Sequence, residues 1–395
     1  MVCIAIAIVV LSNIFGGSNK ITIGCESCAV PSIDGDSIEL KVYVENSGSM
    51  DGYMCAGSDL KDAVFDYVSD LKRLCTSCSL NYINSKIIPY DGGLSDYIKN
   101  LTPASFARAG GDRSNTNLMQ IFEAIVKEQS PGTVSVFVSD CILDIPESAL
   151  DYLGNCQVAI KNTFYDAIKA NPWLGVEIIK LESKFDGYWY CGRNKEFLRD
   201  VKRPYYIWVI GDQRYLAEFN KEVPVEGIIG GVKEYCAYAT APCVPLDTAA
   251  LCIPFAIDKK TYVVNHTNKI TVDVLVDLRG SLQDEDVLED LAKYRCAHPA
   301  QVQLLSINKI TAPKSSYSHV IALEIDNPST LKEESITFSY PLLASWVSRS
   351  DDTTGRDVSA NLDKTTGLMS LIKGVSEAYK SSADYGAVAF KLKNK

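Results

Sequence analysis

The sequence is poor in the residues on which most enzymes and nucleic-acid binders depend. Histidine occurs three times in 395 residues, at His266, His298 and His319. None of the three stands beside a nucleophile motif, and the short spacing Cys296-Ala297-His298 is too little on its own to indicate a Cys/His pair. No G-x-S-x-G, P-loop or paired dinucleotide glycines occur. The net charge is −10, and no basic run follows any segment. Nucleic-acid binding therefore has little support, because it needs clustered Lys and Arg to neutralise phosphates. No apolar stretch reaches the roughly 20 residues of a membrane-spanning helix. Internal repeats and low-complexity tracts are also lacking.

Apolar residues make up 47% of the chain, enough for a large core, and the length suggests two or more domains. Residues 1–35 read as an apolar segment and linker. Val2 to Leu11 is continuously apolar and Ile14-Phe15 extend it. That length fits the apolar region of a secretory signal, although no Lys or Arg precedes it. Cys25 follows Gly24 as a lipidated cysteine would, and a buried N-terminal strand is the other reading. An exported or envelope-associated protein with a possible membrane tether is expected, with a cytoplasmic one as the alternative. The thirteen cysteines include two C-x-x-C pairs, Cys25/Cys28 and Cys75/Cys78. Zinc binding, disulfides and plain reduced thiols all remain open for them.

The most informative segment follows the apolar run Ile38 to Val44. Glu45-Asn46-Ser47-Gly48-Ser49 places one carboxylate and two hydroxyls at alternate positions of a turn after a strand. In open α/β sheets the carboxyl ends of strands are where ligands bind. A set of oxygen donors at such a place suits a hard cation such as Mg²⁺. Two later loops carry matching chemistry. Thr116 precedes the helical stretch Leu118 to Glu128, and Asp140 ends the buried-strand pattern Thr133 to Ser139.

These three segments resemble the metal-ion-dependent adhesion site of von Willebrand factor A domains, the fold shared with integrin I domains. That family's first motif is Asp-x-Ser-x-Ser after the first strand; here Glu45 replaces the aspartate. The resemblance implies that Ser47, Ser49 and Thr116 touch a Mg²⁺ (or Mn²⁺ or Ca²⁺) ion, with Glu45 and Asp140 acting through waters or directly. It also implies an open position for a carboxylate of a protein partner. A metal-dependent hydrolase using Glu45, Asp140 and Asp144 is the alternative from another class. A structural subunit with a vestigial site is a third. The hydroxyl-rich donor set argues against hydrolysis, for which more carboxylates are usual.

The organisation expected is α/β, a doubly wound and mostly parallel sheet with an additional β-sandwich-like region. Residues 36–243 form the α/β domain, with helices at Asp59–Leu74 and Val158–Ala170 and a strand at Ser79–Tyr90. An aromatic insertion at 183–203 contains Tyr188, Trp189 and Tyr190, read either as a partner-binding surface or as a hairpin on its own sheet. Residues 244–363 are β-rich, with a helix at Leu282–Tyr294. Residues 364–395 include an amphipathic helix, Gly367–Tyr379, whose apolar face suits packing back onto the α/β domain.

Overall fold

Seven segments of β character pair into one mixed sheet, and their order explains which ends meet. We label them β1 (Glu39–Glu45), β2 (Ser77–Ile83), β3 (Ile87–Pro89), β4 (Thr133–Ser139), β5 (Leu174–Cys191), β6 (Asn194–Asp212) and β7 (Glu234–Ala239). The sheet order is β3-β2-β1-β4-β6-β5-β7. Strand β1 lies between β2 and β4 and runs parallel to both. The other neighbours, β2–β3, β4–β6, β6–β5 and β5–β7, are antiparallel. Four strands, β1, β2, β4 and β5, therefore point one way.

The computed structural model describes residues 23–25, 37–114, 117–145, 149–191, 194–239, 255–257, 269–276, 278–311, 318–327, 330–331, 333–339, 343–380 and 387–394. The expectations placed on Val2–Phe15, Cys28 and Thr116 lie outside these residues.

Helices cover both faces of the sheet, as a doubly wound arrangement requires. On one face Tyr43, Phe137 and Trp208 stand side by side across β1, β4 and β6. Phe122 of the helix Leu118–Lys127 meets Phe137 at 5.5 Å and Trp208 at 4.6 Å between ring centroids. Phe164 of the helix Ala149–Ala170 joins them 5.9 Å from Phe122. On the other face Glu177, one residue from Ile178, meets Asn220 of the helix Gln213–Glu222. Strand β4 sits between parallel and antiparallel neighbours, and all seven of its residues are buried.

The chain divides into two compact units, an α/β unit of 34–239 and 342–383 and a β-rich unit of 1–33, 240–341 and 384–395. The helix Leu368–Lys380 belongs to the α/β unit. Leu368, Leu371, Ile372 and Val375 are fully buried, each worth roughly 1.5–3 kcal/mol of gross hydrophobic stabilisation. Tyr379 donates its hydroxyl to Leu174 O at 2.9 Å and stacks on Tyr238. Residues 343–363, assigned from sequence to the β-rich region, also belong here. Arg203 donates to the carbonyls of Asn361 and Leu362, and Lys180 to Ser350 Oγ and Asp363 O.

Three local expectations need correction. Ser79–Tyr90 is not one strand: the chain turns at Asn84-Ser85-Lys86 and Ile87–Pro89 returns antiparallel. The helix expected from Val158 begins earlier, at Ala149. Residues 183–203 form a hairpin, as one of the two readings had it, but it is the far end of the continuous hairpin of β5 and β6 and not a separate insertion.

Among the described residues the β-rich unit contains two four-stranded sheets, antiparallel throughout. Burial alternates strictly along His319–Asp326, as a strand with one covered face requires. The helix expected over Leu282–Tyr294 is broken into Glu285–Leu288 and the 3₁₀ turn Leu291–Lys293. Asp284 caps the first by accepting from Val287 N, and Asp290 caps the second by accepting from Ala292 N. Two N-caps six residues apart cannot serve one helix.

Candidate metal centre

The turn after β1 gathers four of the five residues expected to hold a cation. β1 and β4 are parallel neighbours, so Glu45 and Asp140 leave the same end of the sheet. Glu45, Ser47, Ser49 and Asp140 are all buried. The Ser47 and Ser49 hydroxyls lie 3.1 Å apart. Ser47 also lies beside Glu45, and Ser49 beside Asp140. The result is a chain of oxygens running from one carboxylate to the other.

Burial and the neighbouring Asp140 push the Glu45 carboxyl up to about 8, against the opposing effect of the Ser139 and Ser47 hydroxyls. Burial likewise raises Asp140, although Ser49, the Ile142 N–H and Arg203 all favour its charged form. Asp140 Oδ2 is buried and has no hydrogen-bond partner. Two carboxylates withdrawn from water, one with an orphaned oxygen, are costly unless protonated or matched by a cation. The surrounding oxygens fit a hard divalent ion such as Mg²⁺.

Side chains with no part in the sequence motif hold the turn in place. Arg113 donates to Asn46 O at 2.8 Å and Ser47 O at 3.1 Å, and pairs with Asp51. In return Gly48 N donates to Arg113 O at 3.1 Å. Ser139 donates its hydroxyl to Glu45 Oε2 and accepts from Cys141 N. Cys141 has φ +56°, a left-handed conformation that turns the chain directly after Asp140 and costs a non-glycine residue about 1 kcal/mol. Ser139 carried a sequence signal in standing directly before Asp140. Arg113 carried none, since its role depends on a contact 66 residues away in the chain. Asp144 is exposed and does not join Glu45 and Asp140 in the buried cluster.

The end of the long hairpin comes down beside this turn. A Cβ placed on Gly48 would lie 3.5 Å from Tyr190 Cε2. Gly187 and Gly52 allow the approach: a Cβ on Gly187 would fall 2.6 Å from Gly52 Cα. Tyr188 and Tyr190 are exposed, at 44% and 38%, whereas Trp189 is 2% exposed. Alternate strand residues face opposite sides, so Trp189 does not share the exposed face of Tyr188 and Tyr190, where sequence reading had put it. Phe197, 45% exposed, takes its place and packs edge-to-face on Tyr188. Lys195 Nζ lies 3.9 Å above the Tyr188 ring and 5.3 Å from that of Tyr190.

The β-rich unit holds a second cluster that could bind a metal, formed by Glu285, Glu289 and His319. Sequence reading missed it, because the histidine is 30 residues from the nearer glutamate. Cys75 and Cys78 are free thiols. Among the described residues no helix is long and apolar enough to cross a membrane. Comparison with protein-family models and with curated proteins finds no match to the chain.

Proposed function

We propose that the α/β unit is a von Willebrand factor A-like binding module that captures an acidic group of a protein partner through a divalent ion. The observation that carries this reading is the buried pair Glu45 and Asp140, with its orphaned Asp140 oxygen set among the hydroxyls of Ser47 and Ser49. These four residues, with Thr116 as the family-implied fifth, would hold Mg²⁺ or Mn²⁺. A hard cation so placed supplies an electrophilic open position for a carboxylate.

The chain's own residues supply the remainder. Arg113 fixes the backbone of the turn, so that Ser47 and Ser49 present their hydroxyls without reorganisation. Tyr188, Tyr190 and Phe197 offer rigid aromatic area beside it, of the type that anchors protein interfaces. Lys195 adds a positive charge that suits an acidic partner. An exported or envelope-associated location belongs to the proposal and rests on the apolar run Val2–Leu11.

The test is partner capture on the immobilised full chain, with and without chelator. Capture by wild type in Mg²⁺, lost with chelator and in folded Ser47→Ala, supports the reading. Capture indifferent to both would leave the site vestigial.

A further inference from the structure

In the β-rich unit, Glu285 and Glu289 stand four residues apart, at the start and just past the end of the short helix Glu285–Leu288. That spacing sends both carboxylates from one side of the helix. His319 opens the strand His319–Asp326 and is 1% exposed. One ligand atom from each of the three residues lies within 4.8 Å of the others. The imidazole is held at both nitrogens: Nδ1 is 2.8 Å from Ser318 Oγ and Nε2 is 3.1 Å from Glu285 Oε2. Lys309 Nζ pairs with Glu285 Oε1 at 2.8 Å, and the Lys309 N–H donates to Glu289 Oε1 at 2.8 Å.

The Lys309–Glu285 ion pair and the contact of His319 Nε2 with Glu285 account for the placement of Glu285 and His319. The Lys309 N–H holds Glu289 as well, yet leaves its negative charge beside that of Glu285. Like charges at this spacing repel unless a cation lies between them.

We propose that Glu285, Glu289 and His319 bind a divalent transition metal, through one oxygen of each carboxylate and Nε2 of the imidazole. The nitrogen donor makes the site a better host for Zn²⁺, Co²⁺ or Ni²⁺ than for Mg²⁺. Ser318 can accept the Nδ1 proton, which leaves the Nε2 lone pair facing the carboxylates, the arrangement in which histidine ligates metals. Zn²⁺ ligand atoms lie about 2.0–2.2 Å from the ion. Closing the cluster onto one therefore takes side-chain shifts of no more than about 1.5 Å, and Glu289 is exposed and able to make them. Three protein ligands leave a further position for water or an exchangeable ligand. This site is independent of the cluster at Glu45 and Asp140.

The full chain should be titrated with CoCl₂ and followed by visible absorption and thermal melting, for wild type, Glu289→Gln, His319→Asn and Asp140→Asn. Glu289→Gln keeps an oxygen for the Lys309 N–H and leaves the Lys309–Glu285–His319 pairs untouched, so it probes the ligand without disturbing the fold. Wild type should develop ligand-field bands at one equivalent and melt higher. Glu289→Gln should bind at least tenfold more weakly, His319→Asn should lose the bands, and Asp140→Asn should keep them. Three results would each overturn the proposal. One is the absence of saturable bands, another is near-ultraviolet sulfur-to-cobalt absorption that assigns the ion to cysteines, and the third is equal binding by Glu289→Gln and wild type.

Discussion

Glu177 and the pair Glu45 and Asp140 belong to the same α/β unit, and all three carboxyls are withdrawn from water. Glu177 lies within β5, in the antiparallel half of the sheet, where Asn220 and Tyr235 donate to it. Burial raises it to about 7, and a proton or those two neutral donors are enough to satisfy it. Glu45 and Asp140 lie at the carboxyl ends of β1 and β4, in the parallel half, where each raises the cost of charging the other. Hydroxyls surround them, yet one Asp140 oxygen still has no partner. The contrast separates a carboxylate accommodated by folding from a pair that folding alone leaves under-satisfied. It also locates the second kind where parallel strands end in loops.

The largest effect expected is on partner capture. Asp140→Ala should lower it more than a hundredfold, and Glu177→Gln should leave it unchanged, with circular dichroism confirming that both proteins are folded. Equal losses in the two variants would erase the distinction between the sites.

The next effect is on stability, and its sign comes from linkage. Glu177 binds its proton more tightly in the folded protein than its ordinary value of 4.5. Its contribution is therefore present in full below pH 4.5 and is lost as pH rises through about 7. The shift corresponds to about 3 kcal/mol. Urea melts of the metal-free protein between pH 4.5 and 8 should show a fall to which Glu45 and Asp140 also contribute, and Glu177→Gln should make that fall shallower by about this amount. An unchanged slope in the variant would assign the pH dependence to other groups.

A smaller effect tests whether stability and site chemistry separate. Gly374 lies where a Cβ would be 2.7 Å from Gln157 O and 2.9 Å from Ile160 Cβ. Alanine normally improves a helix by about 1 kcal/mol, but overpacking against backbone costs about 1–3 kcal/mol and should win. Gly374→Ala should lower the melting temperature without altering Mg²⁺ affinity. The smallest effect is expected from Glu45→Asp, which shortens the carboxylate by one methylene. Calorimetric Mg²⁺ affinity should change severalfold while the melting temperature of the metal-free protein stays within a few degrees.

Much of the parallel half was legible because its signals are local. An apolar run ending in Glu45-Asn46-Ser47-Gly48-Ser49 announces a strand and a polar turn, and Thr133–Ser139 announces a second strand ending at Asp140. Strand direction was not legible, since a buried strand reads alike in parallel and antiparallel sheets. The placement of β6 beside β4 therefore had to come from the structure. Trp189 was misjudged together with Tyr188 and Tyr190 because composition was read without the two-residue period of a strand. The break at Asp290 was present in the sequence as a second capping residue, but the apolar spacing across it masked the signal. Arg113 at the turn and the meeting of Glu285 with His319 depend on tertiary contacts that no local pattern encodes.

The central claim is that Glu45, Ser47, Ser49 and Asp140 bind a divalent cation, and calorimetric Mg²⁺ titration of the full chain in two buffers of different protonation enthalpy tests it most directly. Burial and Asp140 raise Glu45, so below pH 8 the ion must displace a proton to be held. The account predicts one saturable site in this unit, proton release on binding, affinity that falls as pH drops from 8 to 6, and loss of the signal in Asp140→Asn. Absence of saturable binding, or equal binding by Asp140→Asn, would contradict it.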